Sequence, residues 1–92
     1  MEMVEKGFRE VKFTVHAMVK LQVLRKHGFV VNEDEVVDVV RDPDKVVKGR
    51  KGRYVAQKIY DEKHLIRVIY EVKDENALVV TFYPAKRERY ES

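Results

Sequence analysis

Three runs decide the fold: YVAQKIY (Tyr54–Tyr60), LIRVIYEVK (Leu65–Lys73) and ALVVTFY (Ala77–Tyr83). Each is rich in β-branched and aromatic residues. Polar turns close the first two, Asp61-Glu62-Lys63-His64 and Asp74-Glu75-Asn76, and Pro84 stops the third. Strand-like runs joined by such short turns predict an antiparallel meander. A weaker strand at Lys45–Lys48 leads into it through the turn Gly49–Gly52, and a short β-prone run occupies Val11–Val15.

Two helices fill the interval between these strands. Thr14 caps the first through its hydroxyl, and Gly28 supplies the left-handed stop. Its apolar face carries Ala17, Leu21 and Leu24, extended by Val19 and Val23. Asn32 caps the second helix and Glu35, three residues on, completes a capping box; Val31 and Val36 take the two staple positions. Glu33 and Asp34 place negative charge at the positive end of its dipole, Val36, Val37 and Val40 form its buried stripe, and Pro43 ends it. The order is β-α-α-β-β-β-β. This is an α+β fold with two helices on one face of a mainly antiparallel sheet of four to five strands.

Length and composition bound the function. The chain has 92 residues, no cysteine, and 19 basic against 16 acidic side chains. That is one domain over residues 1–92, with a short extension at 1–9 and a basic tail at 84–92. A chain of this size buries only about 60–65% of its unfolded surface, which favours a surface groove over a deep pocket. Without cysteine there is no disulfide scaffold, no thiol nucleophile and no thiolate metal site. Charged residues form 38% of the chain and no apolar run nears the ~20 residues a bilayer needs. Met1–Arg9 carries Glu2, Glu5, Lys6 and Arg9 and does not read as a secretory leader. The expectation is a soluble cytoplasmic domain without membrane contact. Few Asn, Gln and Ser beside many Lys, Arg and Glu is a thermophile habit.

The charge is segregated. Glu33–Asp44 holds six acids and one base, Arg41, for a balance of −5, whereas Lys45–Tyr60 holds six bases and no acid. Lys48, Arg50, Lys51 and Arg53 crowd the glycine turn, and Lys86, Arg87 and Arg89 follow Pro84. Such clusters suit a phosphate backbone, and equally a solubilising hairpin tip. Strand alternation adds a second surface. In the later runs Ile66, Val68, Tyr70 and Val72, with Leu78, Val80 and Phe82, read as core. Assigning Val55 and Ile59 to the core turns Lys58 outward, beside Arg67, Thr81 and Tyr83, with Tyr54 and Tyr60 near. Cations and phenols on one sheet face suit single-stranded RNA. An ordinary solvated face, with Lys58 or Arg67 paired to Glu71, is the plainer alternative.

His16, His27 and His64 are the side chains that titrate near neutral pH. Their spacing assembles no metal site, and no glycine-rich phosphate loop precedes a helix. His16, in the first helical turn, is either a structural hydrogen-bonding group or an acid–base candidate. Ser92 is too close to the chain end for a nucleophile. The run Ala77–Tyr83 offers an edge to a second copy if nothing covers it.

Thr14-Val15-His16-Ala17, Lys26-His27-Gly28, Asn32-Glu33-Asp34-Glu35-Val36, Asp42-Pro43 and Val79-Val80-Thr81 occur in that order. They resemble a family of small prokaryotic domains of unknown function whose signature opens with Thr-x-His-Ala and closes on a Val-Val-Thr strand. The resemblance runs over roughly Thr14 to Tyr83, with Lys20-Leu21 where that family often has Arg-Met. Arg25-Lys26-His27-Gly28 and Ala85-Lys86-Arg87-Glu88-Arg89-Tyr90 are in turn similar to the BrnT pattern, within the wider group of RelE/ParE toxins. The resemblance implies a metal- and cofactor-independent endoribonuclease acting on messenger RNA, with the ribosome and a cognate antitoxin as partners. Lys58 and Arg67 would then stabilise phosphate or transition-state charge, with Tyr83, Tyr90 or His16 as the acid–base group. A non-catalytic RNA- or protein-binding module of the same fold is the competing expectation, and a domain whose charges only solubilise it is a third.

Overall fold

The computed structural model describes residues 8–90. It contains β1 (Val11–Phe13), α1 (Val15–Lys26), α2 (Glu33–Arg41), β2 (Lys45–Lys48), β3 (Tyr54–Ile59), β4 (His64–Lys73), β5 (Asn76–Lys86) and a single turn of helix, α3 (Arg87–Tyr90). The sheet order is β1-β5-β4-β3-β2, antiparallel throughout except where β1 joins β5 in parallel. The α+β class and the element order agree with the sequence reading; α3 is additional. Among the described residues no helix is long and apolar enough to cross a membrane.

Local chemistry sets the helix boundaries. Thr14 Oγ1 accepts from Ala17 N at 3.1 Å, so the first strand stops at Phe13 and the helix begins at Val15. Gly28, at φ +85°, provides the left-handed residue after the end of α1. Asn32 and Glu35 form a reciprocal capping box, 2.9 and 3.0 Å, and Val31 and Val36 are both buried beneath it. The buried stripe of α2 is Val36, Val39 and Val40, with Val37 only half-buried. On α1, Ala17 and Leu21 are buried, but Val19 and Val23 face outward instead of extending that face.

The core lies between the helices and one face of the sheet, with Val68, Tyr70, Phe82, Val79 and Ala77 at its centre. Two strands present a different face from the one expected. In β4–β5 the register slips between Ile69 and Tyr70: Ile69 pairs with Thr81 while Tyr70 pairs with Val79. Val80 is the extra residue of a β-bulge, which reverses the alternation. Ala77 and Val79 are therefore buried with Phe82, and Leu78 and Val80 are not. In β3, Ala56 is the fully buried residue, whereas Val55 is half-buried and Ile59 exposed. Small Ala56 lies under the helices because its neighbours across β4 are the large core side chains Ile66, Val68 and Tyr70.

Pro84 does not stop β5, which runs on to Lys86. β1 covers β5 only from Ala77 to Val79, so Pro84 lies along a free edge where its missing N–H is tolerated. The expected extension at 1–9 has residues 1–7 outside the described residues. Phe8 packs edge-on against Tyr70 at 5.6 Å, and Arg9 N donates to Glu75 O. The expected tail is strand to Lys86 and helix to Tyr90, with 91–92 outside the described residues.

Two predictions follow from this packing. The β4–β5 turn places both Asp74 (φ 52°) and Glu75 (φ 70°) in left-handed backbone, where a non-glycine residue costs roughly 1–2 kcal/mol. Glu75→Gly relieves that strain against its own loss of chain entropy. It should stabilise the fold by about 0.5–1 kcal/mol in urea unfolding. Burial, with Tyr54 stacked at 5.7 Å, pushes the Tyr70 phenol above its ordinary value. The neutral phenol is thus favoured in the fold. Its contribution is intact below about pH 10 and is lost as pH rises beyond that, because the unfolded chain ionises first. Tyr70→Phe should flatten the alkaline decline in urea midpoint between about pH 9 and 11.

Candidate functional site

The sheet face away from the helices is organised around a row of three paired residues, Gln57, Arg67 and Tyr83. Arg67 Nη1 donates to the Tyr83 hydroxyl at 3.4 Å. The α3 turn folds over the same face, so that the Arg67 guanidinium carbon lies 4.2 Å from the centre of the Tyr90 ring. At that separation the planar cation rests on the ring's negative face. Gln57 and Leu65 on this side are buried. Arg67 Nε is also buried and, among the described residues, has no hydrogen-bond partner. An unsatisfied donor of this kind is costly, and an anionic acceptor would remove the cost. Beside Tyr90, at the β3 end of this face, a groove of about 300 Å³ is lined by Asp44, Lys45, Gln57, Lys58, Ile59 and Leu65.

Lys58 does not join Arg67 and Tyr83, and its expected outward placement is corrected here. It pairs with the core residue Ile66 and points toward α2. There its ammonium donates to Asp38 Oδ2 at 2.7 Å and Asp42 Oδ2 at 3.4 Å. The hydrogen bond to Asp38, with Asp42 adding to it, holds the ammonium above its ordinary value despite partial burial. Tyr54 and Tyr60 also belong to the helix side. Tyr54 stacks on Tyr70, and Tyr60 packs on Phe29 and donates to Val30 O at 2.8 Å. Desolvation, with Glu35 and Asp61 nearby, raises the Tyr60 phenol.

The remaining expected cations divide into two groups. Arg53 is bound to Glu71 at 2.8 Å, so Glu71 takes Arg53 and neither Lys58 nor Arg67. Arg87 Nη1 donates to Asp61 O and Glu62 O, both at 3.3 Å, and its backbone N–H to Lys63 O. It staples the tail to the β3–β4 turn. Lys48, Arg50, Lys51 and Lys86 are exposed at the surface. In that β3–β4 turn Asp61 accepts from the backbone of Lys63 and His64 and from the His64 ring at 3.0 Å. These hydrogen bonds, the one from the Lys63 backbone foremost, hold its carboxyl below its ordinary value.

His16 Nε2 lies 3.2 Å from Thr81 Oγ1, two residues along β5 from Tyr83. It acts together with Thr14, whose N–H donates to Val79 O and whose hydroxyl donates to Val80 O at 3.1 Å. The Thr-x-His-Ala segment and the Val-Val-Thr strand are thus two halves of one contact, with Ala17 buried behind it. Among the described residues no three His, Asp or Glu side chains gather to hold a metal ion. The signals missed in the sequence were Asp38 and Asp42 as partners of Lys58, and Tyr90 as the ring over Arg67.

No protein-family model, curated protein or solved structure matches the chain. Lys58→Met should cost about 0.5–1 kcal/mol in urea unfolding, as expected for a partly exposed bridge, and the difference should narrow in ~1 M salt.

Proposed function

We propose that the protein is an RNA-binding domain that takes up a single strand on the sheet face centred on Arg67. The observation carrying this reading is the Arg67 guanidinium itself, stacked on Tyr90, bonded to Tyr83 and holding a buried Nε donor without a partner among the described residues. A phosphate oxygen reaches that donor when the Tyr90 turn shifts aside, and the phenol rings offer stacking surface to unpaired bases. Exposed Lys86 on β5, and Lys48 and Lys51 at the basic hairpin, extend the field that attracts the backbone.

The resemblance to BrnT and RelE/ParE toxins supports a second reading, messenger RNA cleavage checked by a cognate antitoxin. Its three-residue form, with Lys58 beside Arg67 and Tyr83, is withdrawn, since Lys58 is held by two carboxylates on the opposite face. What favours a reduced form is the 3.4 Å contact between Arg67 and the Tyr83 hydroxyl. A cation there assists a phenol in proton transfer to or from a ribose hydroxyl while neutralising charge on phosphorus.

Binding of a fluorescein-labelled, unstructured oligoribonucleotide tests both. With three or four phosphate contacts, affinity should fall roughly 20- to 50-fold between about 50 and 200 mM salt. Arg67→Ala should abolish most of it, Tyr90→Ala should weaken it about tenfold, and Lys58→Met should leave it unchanged. Intact RNA after incubation selects the binding module. Product that disappears in Tyr83→Phe selects the nuclease. Absence of binding at low salt, or equal binding by Arg67→Ala, refutes both.

A further inference from the structure

The charge of the chain changes sign at the strand that closes one edge of the sheet. β2 is the last strand in the order β1-β5-β4-β3-β2, and among the described residues no strand pairs with its outer side. Asp38, Asp42 and Asp44 precede it, while Lys45, Lys48, Arg50 and Lys51 run through and beyond it, and all are exposed. Among the described residues those four cations have no ion-pair partner. Asp44 Oδ2 accepts from Ile59 N at 2.8 Å, and its other carboxylate oxygen has no partner among the described residues. At the opposite margin β1 covers β5 only from Ala77 to Val79, and Pro84 breaks the row of donors beyond.

An unpaired strand edge is open to another strand, and lysines on such an edge ordinarily repel one. A second copy of this chain is the exception. In an antiparallel pair, residues directly opposite share a face of the sheet. A two-fold axis through Val46 therefore sets Val46 against Val46, Asp44 against Lys48 and Asp42 near Arg50, on both sides of the axis. Val46 is 44% exposed although it pairs with fully buried Ala56, so it extends the core side of the sheet with its outer flank bare. An axis through Lys45 would oppose two lysines, and one through Val47 would set Lys48 against Val46. A parallel strand in register would place lysine beside lysine.

We infer that the outer edge of β2 pairs antiparallel with the same edge of a second copy, closing a symmetric dimer about Val46. The acidic end of each strand meets the basic end of the other, so cations left unpaired in the single chain gain counter-charges. The two sheets join into one, with the helices of both copies on the same face. A four-residue edge with an ionic rim is smaller than a permanent interface, so the dimer is weak and salt-dependent. The contact uses none of Gln57, Arg67 and Tyr83, and its test needs no RNA.

Sedimentation velocity of the full chain is the measurement. At about 50 mM salt the mean mass should rise toward that of a dimer between about 10 and 500 µM protein. Raising salt to about 500 mM should weaken the dimer roughly tenfold. Lys48→Asp, which sets carboxylate against carboxylate, should weaken it by about the same factor with an unchanged melting temperature. Position 46 gives the sharper readout, because it opposes itself. Val46→Lys and Val46→Asp should each be monomeric alone, and their equimolar mixture should dimerise. Arg67→Ala should leave the dimer intact. Monomer at every concentration, a dimer that Val46→Lys leaves intact, or a mixture that stays monomeric overturns the proposal.

Discussion

The one-residue slip between β4 and β5 leaves Val80 unpaired, and the two faces of the domain follow from it. Beyond the slip, Ala77 and Val79 turn toward the helices; before it, Phe82 does. Without it, Ala77 and Val79 would share a face with Thr81 and Tyr83, and the core would lose two of its fully buried residues. The bulge also sits where α1 begins. Thr14 uses the carbonyls of Val79 and Val80, and His16 meets the Thr81 hydroxyl. A strand with ordinary alternation would not present these three consecutive residues to one helical turn. The irregularity thus fixes the first helix and leaves Tyr83 on the side of Arg67.

The segregated charge, −5 in one segment and +6 in the next, is resolved only in part inside the fold, since Lys45, Lys48, Arg50 and Lys51 stay exposed. Lys58 binds Asp38 and Asp42, and Asp44 Oδ2 accepts from Ile59 N at 2.8 Å. Arg53 is taken by Glu71, and Arg87 by the carbonyls of the β3–β4 turn. A charge run in sequence therefore overstates the cations available to a ligand. Arg67 differs in kind, since its neighbours are two phenols, and its buried Nε lacks a partner among the described residues. Desolvation without a counter-charge is what makes a guanidinium responsive to an incoming anion.

Element identity was readable because its signals are local. The Asn32–Glu35 capping box and Gly28 are decided within a few residues of chain, and both occur as the sequence implies. Strand phase was not readable in β3, where Val55 and Ile59 on one side outweigh Ala56 on the other by hydrophobicity alone. Which side is buried depends on pairing with β4, a contact distant in sequence. The bulge at Val80 has no glycine or proline to announce it. Of the site, Arg67 and Tyr83 were legible from alternation, whereas Lys58 was lost to the wrong phase. The ring of Tyr90 over Arg67 needs the tail to fold back across the sheet, which no periodicity encodes.

Residues 19 and 23 show the same limit from the other direction. Helical spacing marks them apolar but does not say which of two apolar sides meets the sheet. The first turn decides, because Thr14 and His16 are tied to β5 and Ala17 is thereby turned inward. The opposite side, with Val15, Val19 and Val23, must then point away from the sheet. The Arg67 row lies beyond the sheet, on the far face. The Thr14–Val80 and His16–Thr81 contacts thus set which side of α1 is buried, on the same strand that carries Tyr83 to Arg67.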